Sequence, residues 1–253
     1  MNLIKLDWDT PPQIHALIST RLGGVSQPPY DSFNLAEHVG DKPEYVAHNR
    51  RLLRAHLPSE PLWLKQIHSS TVSTPAERSN DSNVLIVADG IVTTKPEEVL
   101  AIMTADCLPV LFAANDGSVI GAAHAGWRGL SSGVLENTVD AMLALCPHLS
   151  SVDIVAYMGP AIGPSSYEVG EDVFKAFQES SLKPDLKDFV PVPNQHGKYL
   201  VNLYSLARAR LNLVGIHRVD GGGSCTYLDQ DHFYSYRRDG ITGRFASFIW
   251  IEK

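Results

Sequence analysis

Apolar and polar positions along this chain group into short runs that mark strands more often than helices. The first run, residues 14–20 (IHALIST), ends at Gly23-Gly24 and is predicted to be a strand. Residues 25–46 (VSQPPYDSFNLAEHVGDKPEYV) are dense in turn formers and are expected as a surface loop. Residues 44–57 carry helix-compatible spacing through Val46, Leu53 and Leu57, and the pattern stops at Pro58. Four β-type runs follow, at 62–68 (LWLKQIH), 84–87, 91–94 and 99–103. Then 108–114 and 119–123 flank Asn115-Asp116-Gly117, a turn signal between two apolar runs that predicts a hairpin.

Downstream, one long helix is predicted over 131–146. Leu135, Val139, Met142, Leu143 and Cys146 would share a face, and Ser131 or Ser132 would serve as N-cap. Residues 154–158 read as a strand entering a rigid Gly-Pro-rich loop at 159–164, and 169–178 as a short helix. The polar stretch 179–198 is expected at the periphery, before a second long helix at 201–214. Residues 233–238 and 243–251 flank Asp239-Gly240 and predict a last hairpin. Hairpin signals outnumber strand–helix–strand units, so the expectation is a single α/β domain over 1–253 with mostly antiparallel strands.

The 253 residues, 44% apolar and 19% charged, are enough for a sizeable core. A formal charge of −7 argues against a surface built to hold nucleic acid. No apolar stretch is long enough to span a bilayer. Lys5, Asp7 and Asp9 stand where a signal peptide would need apolar residues, so a cytoplasmic location is expected. Three scattered cysteines, Cys107, Cys146 and Cys225, do not make a disulfide framework.

Chemistry concentrates around the hairpin. Cys107 opens its first strand and His124 closes its second, so pairing would leave thiol and imidazole side by side. Such a pair serves as nucleophile with base, or as two ligands of a metal such as Zn²⁺. It can also be a packed thiol beside a hydrogen-bonded histidine. The sequence Ala-Gly-Trp-Arg-Gly after His124 tips the balance towards a site, because Gly126 and Gly129 leave room for close backbone approach. A second histidine of interest, His68, ends the 62–68 run.

These motifs resemble one family closely, the YfiH-type or laccase-domain proteins. The matching segments are STRLGGVS (19–26), FNLAEHVGD (33–41), LKQIHSS (64–70), TADCLPVLF (104–112) and AAHAGWRGL (122–130). GPAIGPSSYEVG (159–170), CTY (225–227) and FYSYRRDGITGRFASFIW (233–250) complete them. One departure is Ser166, where many members carry a cysteine. The resemblance implies an α/β/β/α sandwich related to the cytotoxic necrotizing factor domain. It also implies metal ligation by His68, Cys107 and His124, with purine nucleosides and inorganic phosphate as substrates.

Three protein ligands would leave Zn²⁺ one open position, the catalytic rather than the structural pattern. One Zn²⁺ per chain is therefore expected, with copper as an adventitious or alternative ion. The resemblance implies phosphorolysis of adenosine, inosine or methylthioadenosine and deamination of adenosine, and Asp106, next to Cys107, is the candidate proton shuttle. Arg21, Arg128, Arg237, Arg238 and Arg244 are candidate phosphate ligands, since guanidinium forks match oxyanions. Trp127, Tyr167 and Tyr236 are candidate purine contacts. If Arg237 and Arg238 lie on a strand, only one of them can face a given cleft. Two other readings stand beside this one: a Cys107/His124 hydrolase that edits cell-wall precursors, and a copper polyphenol oxidase. The ten histidines form no His-x-His pair, which disfavours the oxidase.

Overall fold

A computed structural model describes residues 2–78, 85–180 and 185–253. The first part of the chain forms strands β1 (Leu3–Lys5) and β2 (Ile14–Ser19), helix α1 (Pro43–Arg54), and the two-residue strands β3 (Leu64–Lys65), β4 (Val72–Ser73) and β5 (Ile86–Val87). Next come β6 (Gly90–Thr93), β7 (Leu100–Thr104), β8 (Leu108–Ala114) and β9 (Ile120–Ala125), then helices α2 (Trp127–Ser131) and α3 (Val134–Leu145). The remainder gives β10 (Ile154–Met158), β11 (Glu168–Gly170), α4 (Glu171–Gln178), β12 (Phe189–Pro191), β13 (Lys198–Val201), α5 (Leu203–Leu213), β14 (Val219–Gly221), α6 (Tyr236–Asp239) and β15 (Phe245–Ile251).

Two sheets dominate. One has strand order β1-β2-β15-β7, the other β14-β10-β8-β9-β6-β4. Side-chain alternation along their strands builds the layers. On β8, Leu111 and Ala113 point to a core shared with Ile18, Ile102, Phe245 and Ile249 of the four-stranded sheet. Its Leu108, Val110, Phe112 and Ala114 face the other way, against Leu135, Val139 and Met142 of α3 and Leu203, Leu206 and Leu211 of α5. On the far side of the four-stranded sheet, Leu17, Ala101, Met103 and Phe248 pack with Leu53 of α1 and with Phe33 and Leu35. Helix, sheet, sheet, helix is therefore the layer order, with mixed and mainly antiparallel sheets, as the resemblance implies.

Several local expectations change. The 62–68 run pairs only through Leu64–Lys65 and a bridge from Leu62 to Leu100, and His68 lies beyond it in a loop with φ 61°. The single helix over 131–146 is two, because Gly133 adopts φ 91° and separates α2 from α3, so neither serine caps the longer one. Residues 168–170 and 201 join strands before their helices begin. Asn202, whose side chain accepts from the Ser205 N–H, starts α5. The peripheral stretch contributes β12 and β13 to a small sheet with β11, and its Phe189 is buried. Val84, expected to start a strand, lies outside the described residues, and the strand seen is Ile86–Val87.

The C-terminal hairpin does not form. Residues 236–239 are helical, with Ser235 as N-cap and Gly240 after the end, and β15 pairs instead with β2 and β7. The apolar run 245–251 finds more burial between two strands of the sheet than one short hairpin would offer.

Candidate metal centre

The β8–β9 hairpin forms as expected, with Pro109 opposite His124 and Leu108 opposite Ala125. That register sets Cys107, one residue before β8, beside the His124 end of β9. His68 reaches the same place from the loop after β3. Its ring lies 4.8 Å from the His124 ring, and its Nε2 is 3.8 Å from the Cys107 sulfur. The ligand atoms of all three residues lie within 4.8 Å of one another. His124 is buried, Cys107 half-buried and His68 exposed, so the cluster opens to one side.

Asp89, immediately before β6, anchors this cluster although nothing in the sequence pattern singles it out. Its Oδ1 accepts from His124 Nδ1 at 2.8 Å and from the His68 N–H at 3.0 Å. Its Oδ2 accepts from the N–H groups of Ile67 and Ser69 and from the Ser69 hydroxyl. A carboxylate can only accept here, so His124 carries its proton on Nδ1 and turns Nε2 towards the sulfur.

Burial raises the Cys107 thiol pKa, but His124 and His68 outweigh it and bring the thiol down to about 6. Burial lowers His124, yet the Cys107 thiolate and Asp89 lift it to about 9. Burial likewise acts to raise Asp89, while its bonds from His124 and Ser69 hold it at about 2. Without a metal, these shifts favour a thiolate facing an imidazolium.

The donor set fits a metal ion. Tetrahedral Zn²⁺ places sulfur and nitrogen ligands about 3.6 Å apart, close to the Cys107–His68 separation. Gly126 makes the approach possible: a Cβ there would sit 2.9 Å from His68 Cδ2 and 3.0 Å from the Cys107 sulfur.

The arginines divide into two groups. Arg21 bonds Asp31 through its backbone and side chain, donates to the Gln230 carbonyl, and stacks on Tyr234. Arg238 spends its guanidinium on Asp239 and on the carbonyls of Thr226, Tyr227 and Phe233. These two share a cleft of about 580 Å³ with Asp31, Gln230 and Asp239. Arg128 stacks over Trp127 at 4.2 Å and has no ion pair among the described residues. Arg237 lies over Tyr167 and gives one bond to the Glu168 carbonyl. Among the described residues the Arg244 guanidinium bonds only the Thr242 and Gly243 carbonyls, both through Nη1, and it lies 5.9 Å from the Tyr236 ring.

Electrostatics ties this second group to the cluster. Burial lowers the Arg244 pKa against the pull of Cys107 and Asp106. Burial raises that of Tyr167, which feels Cys107, Arg237, Asp106 and Arg128 in turn. His38, from the FNLAEHVGD motif, is lowered by burial and then by Arg244, which puts it near the same region. The sequence offered no signal to separate it from the other histidines. Asp106 is buried at φ 96° and accepts from the Thr226 hydroxyl and the Arg237 N–H, one bond to each oxygen.

The family described as "Multi-copper polyphenol oxidoreductase laccase" matches residues 15–252. Among relatives, "Purine nucleoside phosphorylase YfiH" of Escherichia coli (strain K12) is 47% identical over 252 residues, covering 98% of each chain. A "Purine nucleoside phosphorylase" of Haemophilus influenzae is 46% identical over 255 residues, covering 100% of both. Among solved structures, a DUF152 protein of Neisseria meningitidis has TM-score 0.90 and 45% identity, with 100% of both chains covered. The hypothetical protein YfiH of Bacillus licheniformis has TM-score 0.87 and 31% identity, with 95% of this chain and 93% of that chain covered.

Proposed function

The chain belongs to the family described as multi-copper polyphenol oxidoreductase laccase, and from that premise we propose that it is a zinc-dependent purine nucleoside phosphorylase that also deaminates adenosine. The convergence of His68, Cys107 and His124 within 4.8 Å carries this reading, and the electrostatic influence of Arg244 on the cluster and of Arg128 and Arg237 on Tyr167 supports it. His68 and His124 would offer Nε2 and Cys107 its thiolate. Zn²⁺ held there would supply a Lewis acid with one open position, able to bring the pKa of water to near neutrality.

The chain's own residues account for the rest. Arg128, Arg237 and Arg244 present guanidinium groups whose forks suit inorganic phosphate. Arg238, whose guanidinium is saturated by protein partners, holds loops instead, and Arg21 is engaged through each of its three nitrogens by Asp31 and Gln230. Tyr167 and Trp127, each already stacked with a cation, offer flat apolar faces to a purine. Asp106, which accepts one bond on each oxygen, keeps the Arg237 segment in place and is the candidate proton shuttle.

Incubating metal-assayed protein with adenosine, with and without phosphate, and identifying the products by mass tests this. Adenine with ribose-1-phosphate is expected only when phosphate is present, and inosine without it. Turnover of neither kind by zinc-loaded protein removes the proposal.

The thiolate–imidazolium pair favours a second reading, a Cys107 hydrolase with His124 as its base. It predicts full activity on an amide or ester substrate after metal is stripped, abolished by alkylation of Cys107. Copper loading decides little about an oxidase, because Cu²⁺ outcompetes zinc at most sites of this type.

A further inference from the structure

We infer that Asp89 is the positioning residue that sets both metal-facing histidines at once, pre-forming the site before any metal arrives. Two elements far apart in sequence meet on its carboxylate. One oxygen fixes the tautomer and ring direction of His124 on β9. The same oxygen and its neighbour collect the consecutive N–H groups of Ile67, His68 and Ser69.

Three successive donors turned towards one acceptor require a sharply curved backbone. His68 accordingly takes φ 61°, a left-handed conformation that a residue with a side chain adopts only under constraint. Gln66 pins the same loop from the other side, donating to the Met103 carbonyl and accepting its N–H. Asp89 is fully buried, so these bonds do not compete with water. A purely structural carboxylate would need no contact with the imidazole. This one spends the same oxygen on the ring of one ligand and the backbone of the other.

Asparagine cannot substitute. Five donors converge on the two oxygens, and an amide NH₂ in place of either would face an N–H or O–H. With the NH₂ towards His124, Nδ1 would have to accept, moving the proton to Nε2 where the metal is needed. Asp89→Asn should therefore damage metal binding more than folding.

The test uses the full chain, with Zn²⁺ affinity from competition against a chromogenic chelator and the visible spectrum of the Co²⁺-loaded protein. Asp89→Asn is expected to bind Zn²⁺ roughly 10- to 100-fold more weakly and to alter the Co²⁺ bands, with wild-type circular dichroism. Ser69→Ala removes one of the two bonds Ser69 gives the carboxylate while sparing His124, and keeps the test decisive should Asp89→Asn not fold. A loss of roughly two- to tenfold is expected there.

This inference rests on the metal-binding reading above. A wild-type chain that takes up neither Zn²⁺ nor Co²⁺ overturns both. Tight uptake by wild type and Asp89→Asn alike, with identical Co²⁺ spectra, overturns only the role of Asp89. Unchanged affinity in Ser69→Ala overturns its hold on the His68 loop.

Discussion

Gly126 lets His68 and Cys107 sit close together because it carries no side chain. A methyl group at this position would press on the imidazole at 2.9 Å and the sulfur at 3.0 Å, and the backbone behind it is buried and cannot retreat. Gly126→Ala should therefore weaken Zn²⁺ binding by on the order of tenfold, while the melting temperature of the metal-free chain stays close to wild type. Chelator competition and calorimetry on one preparation measure both. Protons compete with the metal at the same residues. Between pH 6 and 9 the metal-free site holds a thiolate and a protonated His124, so binding must expel one proton. Apparent affinity should rise about tenfold per pH unit through that window. It should steepen below pH 6, where Cys107 must also lose its proton, and level off above pH 9. A flat profile from pH 6 to 8 would contradict the proton assignment.

At the level of elements, helix α6 and the start of β15 decide which arginines are free. The turn of helix sends Arg238 back onto the carbonyls of 226, 227 and 233, and the chain then passes Gly243 to place Arg244 near Cys107 and Asp106. Arg244→Gln should raise the KM for phosphate by about 10- to 100-fold, as expected for losing a hydrogen bond between charged partners, with the nucleoside KM little changed. Arg238→Gln should lower thermal stability and leave the phosphate KM near wild type. Initial-rate kinetics with phosphate varied separates the two cases. Helices α3 and α5 are joined by a different arginine. The fully buried Arg210 meets Glu136 through its Nε. Glu136→Ala removes this buried charged partner and the join it makes between the two helices, so it should cost about 1.5–3 kcal/mol in urea unfolding.

Across the whole molecule, the site sits on the more extensive of the two sheets and draws little of its support from a metal. Cys107 and His124 follow the β8–β9 register, and the strands beneath them are buried on both faces. The metal-free chain should therefore stay folded after chelation. Saturating Zn²⁺ should then add stability only by mass action, about 2.7 kcal/mol at a hundred times its dissociation constant. Thermal melts across a Zn²⁺ series check this, and a chain that unfolds on chelation would show that the metal builds the site. Among the described residues, no helix is long and apolar enough to cross a membrane.

What the sequence determined alone was local. Asn115-Asp116-Gly117 between apolar runs specified the hairpin, and the hairpin made neighbours of Cys107 and His124, because turn chemistry and alternation act over a few residues. The resemblance of its motifs to a known family added His68 and the four-layer architecture. What only the tertiary structure decided depended on distant partners. Phe245–Ile251 could have closed a hairpin but gained more burial between β2 and β7. His68 left its strand because Asp89, 21 residues further along, offered its backbone a better acceptor. A carboxylate acquires such a role only from the donors that folding brings around it, and no local pattern encodes them.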